Sequence, residues 1–229
     1  MKAADITCGA LLVLLAPLFG SAQETTQSDV ESLLNRIETA YSAVANYQVH
    51  VEVRDYRPGA EFETKKFLYT YKKKPRQIRI DFAQPYPGMV IVYPDKNGQA
   101  VIQPFKWAKF IKLHVPPDSS ILKDASGQTI DRTDLGTLIH NMSRSLTDQR
   151  RGMVQIDAKD EHIEIGVLAA DHFRQGVTTH YLFIIDKRSW LPAGVEEWAP
   201  DNTHRRSIYF RNLRINIDLP DGFFNLNGG

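Results

Sequence analysis

The chain has 229 residues, 24% of them charged and 10% aromatic, with 28 Lys+Arg against 27 Asp+Glu for a formal net charge of +1. That balance lacks the basic excess of a nucleic-acid binder, and no nucleic-acid partner is expected. A single cysteine, Cys8, excludes a disulfide framework, so a domain of this length has to be held by packing.

The opening has a positive start at Lys2, an apolar run from Ile6 to Phe19, and the small residues Gly20-Ser21-Ala22. This is the pattern of a cleavable secretory signal, with cleavage expected after Ala22. The apolar stretch is shorter than the roughly 20 residues needed to span a bilayer, and Pro17 and Gly20 interrupt its end, which argues against an uncleaved anchor. Asp5 runs against the usual positive bias, and Cys8 has no adequate apolar run before it for lipid attachment. Cleavage removes Lys2 and Asp5 together, leaving the charge unchanged. It also removes the only thiol, and thiol chemistry with it. We expect a soluble, exported, periplasmic protein with a signal peptide at 1–22 and a single domain at 23–229.

Residues 23–27 are polar and read as disordered. Ser28-Asp29-Val30-Glu31 has the spacing of a capping box. Val30, Leu33, Leu34, Ile37, Tyr41 and Val44 recur at helical spacing, predicting a helix from Asp29 to about Val44. After Asn46 the period falls to 2: Tyr47, Val49, Val51 and Val53 alternate with polar residues, as in a half-buried strand. Arg57-Pro58-Gly59 reads as a turn, and further strands are predicted at about 62–71, 77–82, 89–93, 100–103 and 110–115. Asn97-Gly98 is a favoured hairpin turn because both residues tolerate positive φ. Turn signals at this spacing predict an antiparallel meander. Pro116-Pro117 ends it, and 116–133 is polar and irregular. Leu135, Leu138, Ile139, Met142 and Leu146 then predict a second helix, with Thr133 as its cap. Strands resume near 153–156, 161–169, 177–186, 193–198 and 204–215.

Three stretches resemble a known family. Tyr71-Lys72-Lys73-Lys74-Pro75 with Ile78-Arg79-Ile80-Asp81-Phe82 and Gln84-Pro85 is similar to a basic pair, proline, strand, proline signature of the periplasmic lipoprotein carrier LolA and its relatives. Val90 to Tyr93, through Asn97-Gly98 to Val101-Ile102-Gln103-Pro104, resembles their next hairpin. Ile208 to Asn216 and Leu219-Pro220-Asp221-Gly222-Phe223-Phe224 resemble their closing strand and terminal turn. The segment 114–152 departs from the carrier itself, where several lid helices are expected and one is found here, so the resemblance is to an uncharacterised branch. It implies an α+β fold: a strongly curved antiparallel sheet, an incomplete β-barrel, covering an N-terminal helix and at least one inserted helix. It also implies a cavity between sheet and helices for acyl chains or another apolar ligand, such as a lipoprotein.

The strand faces supply candidates to line such a cavity: Tyr47, Val49, Val51, Phe67, Tyr69 and Tyr71, then Ile78, Ile80 and Phe82. Leu138, Ile139 and Met142 of the second helix complete the set. Each of these residues also suits an ordinary core position. Lys72, Lys73, Lys74 and Arg76 concentrate charge at one turn and would serve a peripheral membrane contact through lipid head groups or meet an acidic partner; a solvated turn is the plainer reading. Arg150-Arg151 and Arg205-Arg206 repeat that pattern more weakly. Seven histidines show no zinc-ligand spacing, and His162 with Glu164 on one strand face does not change this, so neither metal nor cofactor is expected. Asp171-His172 plus some serine makes a triad only on paper, and we expect a non-enzyme. The leading expectation is a monomeric carrier or binding protein for lipids or lipidated proteins. The alternative is a cell-envelope protein-interaction or stress-sensing module, docking through Phe105, Trp107 and Trp198.

Overall fold

A computed structural model describes residues 26–56, 62–108, 110–123, 127–148 and 151–226. The expected signal segment and the Arg57-Pro58-Gly59 turn lie outside these residues.

Helix α1 spans Gln27–Ser42, starting two residues earlier than the periodicity predicts. Its capping box is built by Thr26 and Asp29 instead of Ser28 and Glu31. The Asp29 N–H donates to Thr26 Oγ1 (3.2 Å), and the Thr26 N–H donates to Asp29 Oδ2 (3.0 Å). Glu31 instead accepts from Gln27 Nε2 one turn in (3.1 Å), so Thr26 and Gln27 belong to the helix start and not to a disordered leader. One face of α1 buries Val30, Leu33, Leu34 and Ile37.

Strands β1 (Asn46–Asp55), β2 (Glu63–Lys72), β3 (Gln77–Gln84), β4 (Val90–Tyr93), β5 (Ala100–Gln103) and β6 (Leu113–Val115) form a first meander. A 3₁₀ turn (Ile130–Arg132) and helix α2 (Leu135–Thr147) follow. Strands β7 (Val154–Ala158), β8 (His162–Ala170), β9 (Thr178–Asp186), β10 (Pro192–Trp198) and β11 (His204–Ile215) form the second meander. β6 is half the predicted length, because 110–112 belong to the loop before it. In the β4–β5 turn only Gly98 of the Asn-Gly pair takes positive φ (+75°), and Asp95 Oδ1 accepts from the N–H groups of Asn97 and Gln99 (2.8 Å each).

β1 pairs with β11, joining the meanders into one open antiparallel sheet ordered β6-β5-β4-β3-β2-β1-β11-β10-β9-β8-β7. Register shifts at Gln48/His50, Lys66/Phe67, Pro192/Gly194 and Glu197/Trp198 add bend where an even ladder would stay flatter. The outcome is an α+β curved open sheet with two helices, as the sequence predicts.

This order explains the crossover. β6 and β7 lie on opposite edges, so the chain between them must traverse a face of the sheet, and it carries the 3₁₀ turn and α2 with it. The N-cap of α2 is Asp134, not Thr133: Asp134 Oδ1 accepts from the N–H groups of Gly136 (2.9 Å) and Thr137 (3.2 Å). A carboxylate is the stronger acceptor at a helix N-terminus. Thr133 Oγ1 instead donates to the Ile130 carbonyl (2.8 Å). Against this face lie two apolar clusters. One packs Leu33 and Ile37 of α1 and Met142 and Leu146 of α2 onto Ile165, Phe183 and Ile185. The other gathers Tyr47, Val49, Tyr69, Ile78 and Ile91 of β1–β4 with Ile130 and Leu135.

Candidate ligand cavity

The second cluster is not filled. A cavity of about 360 Å³ lies between the inner faces of β1–β3, β10 and β11 and the crossover segment. The period of 2 puts Tyr47, Val49, Val51, Val53 and Asp55 of β1 in one row along it. β2 adds Phe67 and Tyr69, β3 adds Ile80 and Phe82, and Ile121, Leu122, Ile130 and Leu138 face them from the crossover.

Eight of the twelve predicted residues therefore line the cavity: Tyr47, Val49, Val51, Phe67, Tyr69, Ile80, Phe82 and Leu138. Tyr71 and Ile78 do not; both are buried in the wall cluster, with the Tyr71 ring 5.2 Å from that of Tyr47. Ile139 and Met142 turn into the helix core. The apolar face of α2 is shared: Leu138 and Asn141 face the cavity, while Ile139, Met142 and Leu146 face α1 and the sheet. Sequence reasoning missed Ile121, Leu122 and Ile130, three apolar residues in a segment that reads as polar. It also missed Val195, Ile208 and Phe210, which the alternation of β10 and β11 could have supplied.

One end of the cavity is charged. Asp55 sits opposite Arg206 in the β1–β11 register, and Arg206 sits opposite Glu197 in the β10–β11 register. All three are more than nine-tenths buried. Arg206 Nε donates to Asp55 Oδ1 (2.7 Å). Lys65 Nζ stands 3.6 Å from Asp55 Oδ2, which has no hydrogen-bond partner among the described residues. The wall is thus apolar along most of its length and ionic at one end.

A second polar point is His172. Its Nε2 is 2.7 Å from Ser145 Oγ, and its ring stacks on Tyr181 at 4.3 Å. Burial pushes its pKa down to about 4, so the ring is neutral at ordinary pH. Asp171 completes no triad with this pair: its carboxylate accepts from Thr179 Oγ1 (2.7 Å) and from the N–H groups of Phe173 (2.9 Å) and Arg174 (2.8 Å). Elsewhere in the wall, burial pushes the Tyr47 and Tyr69 phenols well up, keeping them protonated.

The basic turn is partly spent on structure. Lys73 Nζ donates to the Tyr41 carbonyl (3.1 Å) and lies 4.3 Å from the Tyr41 ring centre. An Arg76 amino group donates to Asp134 Oδ2 (2.7 Å) and to the Asp131 carbonyl, tying the turn to the α2 cap. Lys72 is half-buried and Lys74 is exposed. Trp198 is half-buried and stacked on His204 (4.8 Å), whereas Phe105 and Trp107 are exposed. His162 Nε2 and Glu164 Oε1 bond each other (3.0 Å). Among the described residues no cluster of three His, Cys, Asp or Glu is placed to hold a metal, and no helix is long and apolar enough to cross a membrane.

No protein-family model matches the chain, and no curated protein matches it. Solved structures do. The Mycobacterium tuberculosis lipoprotein LppX is 8% identical over 84% of this chain and 100% of its own, with a TM-score of 0.48. A LolA superfamily protein from Nitrosomonas europaea is 11% identical over 85% of this chain and 96% of its own, with a TM-score of 0.38. MucB, in its Pseudomonas aeruginosa complex with MucA, is 14% identical over 86% of this chain and 60% of its own, with a TM-score of 0.45. These are likenesses of fold.

Proposed function

We propose that this is an exported, non-catalytic carrier that holds one amphipathic molecule, such as an acyl chain or the acylated end of a lipoprotein, beneath its sheet. The cavity is the observation that carries this reading. Its volume of about 360 Å³ lies within the range of small-molecule sites. Phe67, Phe82, Met89, Leu122 and Phe210 face inward yet are only half-buried, leaving apolar surface for a ligand to cover. A ten-methylene stretch laid against it contributes about 8 kcal/mol before the cost of immobilisation. Asp55, Arg206, Glu197 and Lys65 would receive the polar end. Export to the periplasm with cleavage after Ala22, and action as a monomer, belong to the same reading.

Solvent extraction of protein purified from an exporting host, followed by mass spectrometry, is the direct test. We expect a bound lipid, and uptake of a fluorescent fatty acid by the delipidated protein. Val53→Trp, which places an indole in the void, should weaken that uptake by about tenfold or more, roughly 1.4 kcal/mol, without lowering the melting temperature. A protein recovered empty that also ignores fluorescent fatty acids and lipopeptides is no carrier.

A further inference from the structure

The loop between β5 and β6 inverts the usual order of burial. Ala108 is fully buried and pins the loop, with its N–H on the Phe105 carbonyl (3.3 Å) and its carbonyl accepting from the Ile111 N–H (3.0 Å). The large side chains around it point outward: Phe105 is 48% exposed, Trp107 78% and Phe110 81%. Phe105 and Trp107 stack on one another at 5.5 Å, presenting a joined aromatic surface. Leu113 continues the exposed apolar surface at the edge strand.

The charge and position of this loop bear on the surface it suits. From Pro104 to Pro117 the sequence holds Lys106, Lys109 and Lys112 and no acidic residue. Indole and phenyl rings interleaved with lysines suit the boundary between hydrocarbon and anionic head groups, where rings enter and ammonium groups stay with phosphate. The loop also adjoins the cavity. A Cβ on Gly88 would stand 2.9 Å from that of Lys106, so the aromatic loop touches the turn bearing Tyr86 and Met89, both of which line the cavity. Tyr86 and Ile121 are cavity-lining and exposed at once, which places an opening beside the loop.

We propose that Phe105, Trp107 and Phe110 form a bilayer-docking loop that seats the protein on anionic phospholipid with the cavity opening turned to the membrane. The docking stands on the loop alone; its use in loading or unloading a lipid rests on the carrier reading. It moves the membrane contact from the Lys72–Arg76 turn, where Lys73 and Arg76 are engaged internally, to the β5–β6 edge.

Co-sedimentation of the purified protein with vesicles of phosphatidylethanolamine and phosphatidylglycerol, compared with vesicles of phosphatidylcholine alone, tests this. The protein should sediment with the anionic vesicles, with a blue shift in tryptophan emission that Trp107→Phe abolishes. Trp107→Ala with Phe110→Ala should weaken binding about tenfold or more, and Lys106→Gln about fivefold. All these side chains are exposed, so melting temperatures should stay constant and a loss of binding cannot be blamed on unfolding. A protein that stays in solution with anionic vesicles, or whose Trp107→Ala/Phe110→Ala variant binds as well as wild type, overturns the proposal; so does a loop that captures a soluble protein while ignoring vesicles. Vesicle binding without fatty-acid uptake keeps the docking loop and removes the carrier. Uptake without vesicle binding does the reverse.

Discussion

The two halves of the inner sheet face are built from the same residue types and covered differently. Over β7–β10 lie α1 and α2, and there Ile165, Phe183 and Ile185 are at most 1% exposed. Over β1–β3 lies the irregular crossover with its 3₁₀ turn, and there Phe67 and Phe82 remain half-buried around a void. Regular helices present side chains at a spacing that interdigitates with a sheet, whereas a segment without that regularity leaves gaps. The difference lies in the cover and not in the strands.

The sharpest way to break this contrast is to delete the same kind of side chain on each side. Phe183→Ala, in the packed half, should cost about 3–5 kcal/mol, read from denaturant unfolding. Its residual folded protein should bind a fatty-acid probe as wild type does. A cost well under 2 kcal/mol would mean the helical half is as loose as the other.

The charged end of the cavity should respond almost as strongly, for a different reason. Arg206→Met leaves Asp55 buried without its hydrogen-bonded partner and should cost about 3 kcal/mol. Adding Asp55→Leu removes one of the two carboxylates left facing the vacated site, Glu197 being the other, and should recover part of that loss. If the double variant is no better than the single one, the pair is not the coupled unit that the 2.7 Å contact implies.

His172 belongs to the cavity wall and contacts the packed half through Ser145 and Phe183. Burial disfavours the cation and pushes its pKa down to about 4 in the folded protein, from the ordinary histidine value of about 6.5. Between those values the unfolded chain binds the proton and the folded chain does not, so this group makes stability fall as pH drops from about 6.5 towards 4. Allowing for its remaining exposure, the loss should be about 2 kcal/mol. His172→Gln should flatten that part of the stability–pH curve, and an unchanged slope would show that the ring does not stay neutral in the folded state.

Much of this architecture is legible in the sequence because its periods are clean. The rows Tyr47-Val49-Val51-Val53 and Ile78-Ile80-Phe82 name both the strands and the face they bury. What the sequence conceals is competition and cover. Two overlapping capping boxes sit before α1, and periodicity cannot say that Thr26 and Asp29 prevail. The face of α2 reads as one stripe, although Leu138 serves the cavity and Ile139 the core. Ile121, Leu122 and Ile130 carry no period, so only the edge-to-edge path from β6 to β7 brings them over the void. Asp55 and Arg206 are 151 positions apart, and the pairing of the first strand with the last is what joins them.

The smallest expected effect separates cover from core most directly. Ile121 lines the cavity but is 69% exposed at its opening, so it adds little to folding. Ile121→Ser should change stability by less than about 0.5 kcal/mol, as exposed positions do. A ligand reaching the opening, however, would lose apolar contact there. One or two methylenes' worth of contact, at about 0.8 kcal/mol each, corresponds to a probe affinity reduced by roughly four- to fifteenfold. Binding would then fall while stability holds, the opposite of the outcome expected at Phe183. Should Ile121→Ser instead destabilise the protein by more than 1.5 kcal/mol, the crossover is core in its own right, and the void beneath it is a packing defect with no ligand to hold.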